Sequence, residues 1–209
     1  MSLLIETQRV HALYVHLLQC AWNSVYNVND LFCTQGEAAL LRSVILLPKF
    51  RNADIIQHIR QMHDPLCTCI APHITLVFPF ESEISTKELQ SHIANALNGM
   101  EKFKTILQGI TGDVRDGYLF LNIKQGNDEI IALHDRLYEG LLAPFHARKI
   151  PYCPLLIVGR LREKDAFEHT LDALASMHDR FETVIDKVHV ERIGKDESSI
   201  IELVMYLQG

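Results

Sequence analysis

The chain has 209 residues, of which 48% are hydrophobic and 22% charged, with a formal net charge of −6. This length and balance suit one globular domain or two closely joined lobes, and no low-complexity stretch indicates disorder. The negative charge argues against sequence-independent binding of long nucleic acids, which needs many Lys and Arg contacts to phosphates, although a local basic pocket could bind a small anion.

The cysteine pattern and the apolar runs bear on localisation. Five cysteines form an odd, irregularly spaced set, which predicts reduced thiols. The amino terminus lacks the basic start and the long apolar core of a signal peptide. No apolar run approaches the ~20 residues that are needed to span a bilayer. We therefore expect a cytoplasmic protein without membrane contact.

Residues 5–27 have the pattern of an amphipathic helix, within a helical amino-terminal extension that we predict over residues 1–42. Such a helix either packs on its own domain or pairs with another subunit, so a homodimer through this helix is one role that it could serve. The apolar positions recur at helical spacing: Val10, Leu13, Tyr14, Leu17, Ala21 and Val25.

The next part of the chain alternates strands and helices. Residues 43–47 form an apolar run that ends at Pro48, which predicts a buried strand. A helix over residues 53–62 follows, and Pro65 ends it. The apolar run over residues 74–78 predicts the second strand.

A second helix is predicted to end near Leu97. Ser85 or Thr86 can cap its amino end, and Glu88 completes a capping box if Ser85 is the cap. Gly99 suits its carboxyl end, because glycine adopts the left-handed conformation found there.

The remaining elements continue this alternation. Runs of strands broken by single helices favour an α+β fold of antiparallel or mixed sheets with outer helices. We predict a domain over residues 43–209, with lobes of roughly 43–123 and 124–209. Its further elements are strands at 105–110 and 118–123, a helix at 127–138, a loop at 143–152, a strand at 155–161, a helix at 164–177, and strands at 182–192 and 199–206 joined by a turn at 194–196.

His73 and Thr75 are the most informative residues of the chain. They lie two residues apart at the start of the 74–78 strand, so their side chains point to the same face. Imidazole titrates near neutral pH and can transfer a proton at a phosphorus centre, and a hydroxyl can donate to a phosphate oxygen. Taken alone, a histidine at a strand start is more often a structural residue bonded to the backbone.

Residues 71–80 resemble the first His-x-Thr motif of the two-histidine phosphoesterase superfamily, which includes the 2′-5′ RNA ligase-like proteins and the cyclic nucleotide phosphodiesterases. These proteins repeat the motif in a second lobe, commonly as Pro-His-x-Thr-x-Gly-Arg. The matching stretch here, residues 154–160, has Leu155 and Ile157 in place of the histidine and the threonine but keeps the Gly-Arg end. The resemblance covers roughly residues 43–207 and implies two lobes facing each other across a cleft.

The resemblance also implies roles for individual residues. His73 would be the acid–base residue, Thr75 a donor to phosphate and Arg160 a charge clamp, and we add Tyr152 as a substrate-binding candidate. The implied substrate is a cyclic phosphate or a 2′-5′ phosphodiester of a nucleotide or RNA end. This chemistry implies no metal and no organic cofactor.

The loss of the second histidine leaves three functions open. Removing one acid–base partner costs about 10²- to 10⁴-fold in rate, so the first is a weak phosphoesterase. The second is an inactive protein that binds a nucleotide or RNA end in the same cleft, and the third is an assembly protein with a vestigial cleft. His146 and His189 are two histidines that could substitute, although each is more often a surface or strand residue.

A zinc site is the competing hypothesis for the same region. His63, Cys67, Cys69 and His73 are of residue types that bind zinc. The Cys-x-Cys spacing is tighter than usual, however, and no distant second pair completes a finger or ribbon. No phosphate loop, dinucleotide-binding fingerprint or serine hydrolase elbow is present in the sequence.

Overall fold

The computed structural model describes residues 39–149 and 151–209. The predicted helix over residues 5–27, and any dimer contact through it, lie outside the described residues. In chain order the elements are β1 (Leu40–Leu46), α1 (Ala53–His63), β2 (Ile74–Ser82), α2 (Thr86–Ala96), β3 (Phe103–Asp113), β4 (Tyr118–Gln125), α3 (Asn127–Leu137), a 3₁₀ helix (Gly140–Phe145), β5 (Leu155–Arg160), α4 (Lys164–Leu174), β6 (Arg180–Ile185), β7 (Lys187–Ile193) and β8 (Ser199–Tyr206).

The strands form two antiparallel sheets, with helices around them, and the predicted α+β class is confirmed. The first sheet has the order β2-β1-β7-β8 and the second the order β5-β4-β3-β6. Each sheet combines strands from both halves of the chain, so a boundary near residue 123 does not separate the two sheets. None of the helices in the described part of the chain is long and apolar enough to cross a membrane.

The predicted strand over residues 182–192 is wrong, because this stretch contains two strands in different sheets. The chain leaves β6, which pairs with β3, and passes through Asp186 into β7, which pairs with β1. The Asp186 carbonyl accepts a hydrogen bond from Leu207 N at 2.9 Å and so anchors the crossover. The loop predicted over residues 143–152 likewise begins inside a 3₁₀ helix.

Local signals at the helix ends were predicted correctly. Ser85 caps α2, and its side chain and that of Glu88 form the reciprocal bonds of a capping box. Gly99 has a φ of 74°, which is the left-handed conformation expected after a helix end. These features depend on residues a few positions apart, so the sequence alone specifies them.

The helices bind the two sheets together as one packed unit. Helix α1 packs on β5 of the second sheet, whereas α3 packs on β2 of the first. A single apolar cluster includes buried residues from both sheets and from the helices, among them Leu46, Leu76, Leu119 and Leu133. The faces of the sheets that point away from this cluster bound the cleft described below.

Three rings hold β2, the edge strand of the first sheet, against the rest of the molecule. His134 stacks on Tyr152 with ring centroids 3.6 Å apart and contacts Tyr138 edge-on at 4.9 Å. We call His134, Tyr138 and Tyr152 the aromatic clamp. Its bonds to the β2 backbone are His134 Nδ1 to the Leu76 carbonyl (2.7 Å), the Tyr152 hydroxyl to the Thr75 carbonyl (2.7 Å) and Phe78 N–H to the Tyr138 hydroxyl (2.9 Å).

Candidate functional site

A cleft of about 830 Å³ lies between the two sheets. The first sheet and the loop before β2 contribute His73, Thr75 and Glu191, and the second sheet contributes Ile157 and Arg160. The predicted acid–base residue, the predicted phosphate donor and the predicted charge clamp therefore line one cavity.

His73 sits half-buried at the start of β2 with a fixed ring orientation. Its Nδ1 lies 3.0 Å from the Ala71 carbonyl oxygen. A carbonyl only accepts, so Nδ1 carries the hydrogen and Nε2 of the neutral ring keeps a lone pair that can take a proton. Burial lowers the pKa of His73, while Glu191 and the Ala71 bond oppose that shift and Arg160 and Arg60 add to it.

The loop that leads to His73 is built around a buried arginine. Arg60 of α1 is 1% exposed and donates to the carbonyls of Leu66 (3.3 Å) and Ile70 (2.8 Å). Its Nε also donates to Asp64 at 3.0 Å. These bonds fix the loop between α1 and β2, and with it the position of His73.

Arg160 is held at the cleft wall by two neighbours. Its Nε lies 3.3 Å from Asp64 Oδ1, and its guanidinium carbon lies 5.5 Å from the centre of the Tyr118 ring. Asp64 is 4% exposed and pairs with both Arg160 and Arg60. It thereby connects the loop before His73 to the end of β5. Sequence reasoning missed this residue, since only the fold brings its partners together.

The retained glycine before Arg160 has a packing reason. A Cβ on Gly159 would lie 3.2 Å from the His63 Cβ, so α1 approaches β5 closely at this point. Gly159 thus allows α1 to pack closely on β5 next to Arg160.

Two further arginines flank Arg160. The turn that carries Arg115 is fixed by a 2.7 Å bond from Leu161 N to the Gly117 carbonyl. Gly117 has a φ of 72°, and a Cβ there would lie 2.0 Å from the Leu161 carbonyl oxygen, so only glycine fits. Arg115, Arg160 and Arg162 all line the cleft, and we call them the arginine wall.

The second sheet is otherwise apolar where it faces the cleft. Tyr118, Phe120 and Leu155 form a small buried cluster, against which Ile157 packs. Leu155 is 7% exposed and does not reach the cavity, whereas Ile157 lines it. The two positions at which the motif has histidine and threonine thus belong to a hydrophobic patch.

Glu191 on β7 is a buried carboxylate in the same cleft, which the sequence analysis did not select. It is 4% exposed, and each of its two oxygens accepts from a serine hydroxyl. Ser43 on β1, its register partner, donates at 2.5 Å, and Ser199 on β8 donates to the other oxygen. No local sequence signal marks this cluster, because its members come from three strands.

Tyr152, the predicted substrate-binding residue, lies outside the cavity wall. Its hydroxyl bonds the Thr75 carbonyl, and its ring stacks on His134. Tyr152 therefore binds the backbone of β2 at Thr75 and does not line the cleft. The motif spacing could not reveal this, since the ring partner comes from α3.

The two substitute histidines also lie outside the cavity wall. His146 stacks on Tyr138 of the aromatic clamp at 4.4 Å, and His189 is buried on β7. In residues 39–149 and 151–209, no three His, Cys, Asp or Glu side chains are gathered as metal ligands, and Cys67 and Cys69 are free thiols. The zinc hypothesis thus has no support from the geometry of this region.

The sequence profile of the 2′-5′ RNA ligase superfamily matches residues 48–197. This range covers most of the chain, including the whole second sheet and β2 and β7 of the first. The chain therefore belongs to that superfamily. Among curated proteins, one from Bacillus licheniformis is 25% identical over 153 residues, which cover 70% of this chain and 86% of that protein. One from Geobacillus thermodenitrificans is 26% identical over 155 residues, covering 70% and 84%. Both carry the provisional name phosphoesterase.

Solved structures of Escherichia coli LigT share the fold. The complex with 3′-AMP superposes with a TM-score of 0.59 at 14% identity and covers 82% of this chain and 99% of LigT. The complex with phosphate has a TM-score of 0.56 at 15% identity and covers 83% and 100%. At this identity the likeness establishes the two-sheet architecture alone.

Proposed function

We propose that this protein is a phosphoesterase that acts on a cyclic phosphate or a 2′-5′ phosphodiester of a nucleotide or RNA end. The observation that carries the proposal is that His73, Thr75 and Arg160 line one cleft. Superfamily membership supports the reaction class. The LigT complexes with 3′-AMP and phosphate support a nucleotide ligand.

In the proposed reaction His73 is the general base. Its Nε2 takes a proton from the attacking water as the new phosphorus–oxygen bond forms, and the bond to one ribose oxygen breaks. That ribose oxygen receives a proton from solvent, and the imidazolium later releases its own proton to solvent. The Thr75 hydroxyl and the Arg160 guanidinium contact the phosphate oxygens, where a guanidinium can bind two oxygens at once.

The walls of the cleft suit such a ligand. The arginine wall supplies positive charge on a protein whose net charge is −6, so anion binding is local. Ile157 and Leu161 add apolar surface to the same cavity, and such surface can pack against a nucleobase. With one histidine in place of two, we expect a rate about 10²- to 10⁴-fold below that of a two-histidine site.

The test is turnover of 2′,3′-cyclic nucleotides and 2′-5′ dinucleotides by the purified protein, with His73→Asn as the inactive variant. The matched control is His58→Asn, since His58 is exposed on α1 and does not line the cleft. We expect turnover by the wild type and by the His58 variant and its loss in the His73 variant.

Equal turnover by wild type and the His73 variant would contradict the proposal. Saturable binding of a 3′-nucleotide without turnover of any substrate would also contradict it and would make the cleft a binding site. Ligand affinity should therefore be measured by calorimetry on the same three proteins.

A further inference from the structure

A buried carboxylate in an anion-binding cleft needs an explanation. Glu191 would repel a phosphate, and removing a carboxylate from water is costly unless it is compensated. Among the residues that the structure describes, no arginine or lysine forms an ion pair with it, and its partners are the hydroxyls of Ser43 and Ser199. Hydroxyl donors hold the carboxylate in place and leave its negative charge in the cleft.

The charge of Glu191 acts on His73. Both side chains line the cleft, and Glu191 is the charged group that raises the pKa of His73 against the lowering effects of burial, Arg160 and Arg60. The other charged or titratable groups of the elements around the imidazole are Asp64 and Cys69 between α1 and β2, Arg115, Asp116 and Tyr118 at the β3–β4 turn, Arg162 after β5 and Glu197 in the β7–β8 turn.

We propose that Glu191 is a positioning residue that stabilises the protonated imidazole of His73 during turnover. This inference rests on the proposed function, in which His73 takes up the proton of the attacking water. Arg160 and Arg60 oppose a positive charge on the imidazole, and the carboxylate offsets that repulsion. Glu191 therefore acts through His73 and needs no contact with the substrate.

The first sheet and the loop before its edge strand carry both the proton acceptor and the carboxylate that stabilises its protonated form. His73 directly precedes β2, and Ser43, Glu191 and Ser199 come from the three other strands of the first sheet. Glu191 does not transfer a proton itself in this proposal. It makes proton uptake by the single histidine more favourable in a site where the second histidine is replaced by Leu155.

The test is an NMR titration of the His73 imidazole in the wild type and in Glu191→Gln, with the resonance assigned by His73→Asn. We expect the midpoint for His73 to fall to lower pH in the Glu191 variant. The matched control is Glu197→Gln, which removes another cleft-lining carboxylate that does not act on His73. This control should leave the midpoint unchanged. Glu191→Asp keeps the charge on a shorter side chain and should lower the midpoint by less than Glu191→Gln does.

An unchanged His73 midpoint in folded Glu191→Gln would overturn the inference, as would an equal shift in the Glu197 control. If Glu191→Gln fails to fold, Glu191→Asp replaces it, because the shorter side chain draws the carboxylate back towards β7 and should lower the midpoint by less than full removal of the charge. An unchanged midpoint in Glu191→Asp would then overturn the inference.

Kinetics then separates the inference from the function on which it rests. The acid limb of kcat/KM should move to lower pH by the same amount as the His73 midpoint in Glu191→Gln. A shifted midpoint with no turnover in any variant would support the electrostatic contact and contradict the phosphoesterase proposal.

Discussion

The two sheets face the same cleft with opposite chemistry. The first sheet presents titratable and hydroxyl groups, with His73, Thr75 and Glu191 along its cleft side. The second presents Tyr118 and Ile157 of its small apolar cluster, together with the arginine wall. Both sheets are nonetheless four-stranded and antiparallel. A fold that is symmetric in architecture thus carries an asymmetric site.

Within residues 154–160, the stretch that resembles the second motif, the last two residues have structural partners in the fold. Gly159 is needed for close packing of α1, and Arg160 pairs with the buried Asp64. The histidine and threonine positions have no such structural partners. They accept Leu155 and Ile157, whose burial stabilises the sheet through apolar packing.

Asp64 connects the loop before His73 with the end of β5, and its removal should have the largest effect on stability among these variants. Asp64→Ala leaves Arg60 buried without its carboxylate, so we expect the free energy of unfolding to fall by about 3–5 kcal/mol. Denaturant unfolding followed by circular dichroism measures this change. The control Glu81→Ala, at an exposed position of β2, should change stability by about 0.5 kcal/mol or less. An equal, small change in both variants would mean that the sheets do not depend on this ion-pair network.

Arg160 tests whether the second sheet still contributes to ligand binding. Its replacement by methionine keeps side-chain bulk and removes a charge-assisted hydrogen bond, which is worth about 1.5–3 kcal/mol. We therefore expect affinity for a 3′-nucleotide, measured by calorimetry, to fall roughly 10- to 100-fold. Arg180→Met, at an exposed position of β6, is the matched control and should bind like the wild type. Unchanged binding by the Arg160 variant would restrict ligand recognition to the first sheet.

The sequence predicted the local parts of this site and missed the parts that depend on the fold. His73, Thr75 and Arg160 were found because each belongs to a short motif within one strand or at its start. Glu191 was missed because its partners come from other strands. The position of Tyr152 outside the cavity wall could not be predicted, because its ring stacks on a residue of α3. The switch between sheets at Asp186 was missed for a similar reason, since the change of partner strand from β3 to β1 depends on the fold and not on the local sequence.

A histidine at position 155 tests whether the second sheet can hold an acid–base group. Leu155→His places an imidazole among Tyr118 and Phe120, where burial without a partner costs about 1–3 kcal/mol. We expect thermal unfolding to show this loss of stability. Ile157→Thr, at a position that lines the cleft, should cost less because its hydroxyl can reach water. A stable Leu155→His variant with faster turnover would show that the patch still accommodates the second acid–base group.

The aromatic clamp, which holds the edge strand β2 of the first sheet in place, contains a group that should make stability depend on pH. Burial lowers the pKa of His134 to about 4, from 6.5 in the unfolded chain, and the ring is 2% exposed. Between these values the unfolded state binds more protons than the folded state, so stability rises with pH in this window and is lost as pH falls from 6.5 towards 4. On this basis, acidification from pH 7.5 to 5 should lower the free energy of unfolding by about 2 kcal/mol through this residue alone.

His134→Phe keeps a ring against Tyr152 but removes the titrating group, so its free energy of unfolding should fall less over the same pH range. The exposed control His58→Phe should behave like the wild type. Parallel pH profiles of unfolding free energy for the His134 variant and the wild type would mean that the clamp is not the acid-sensitive element. The loss would then come from the half-buried His73 and the buried His189, because burial lowers the pKa of both.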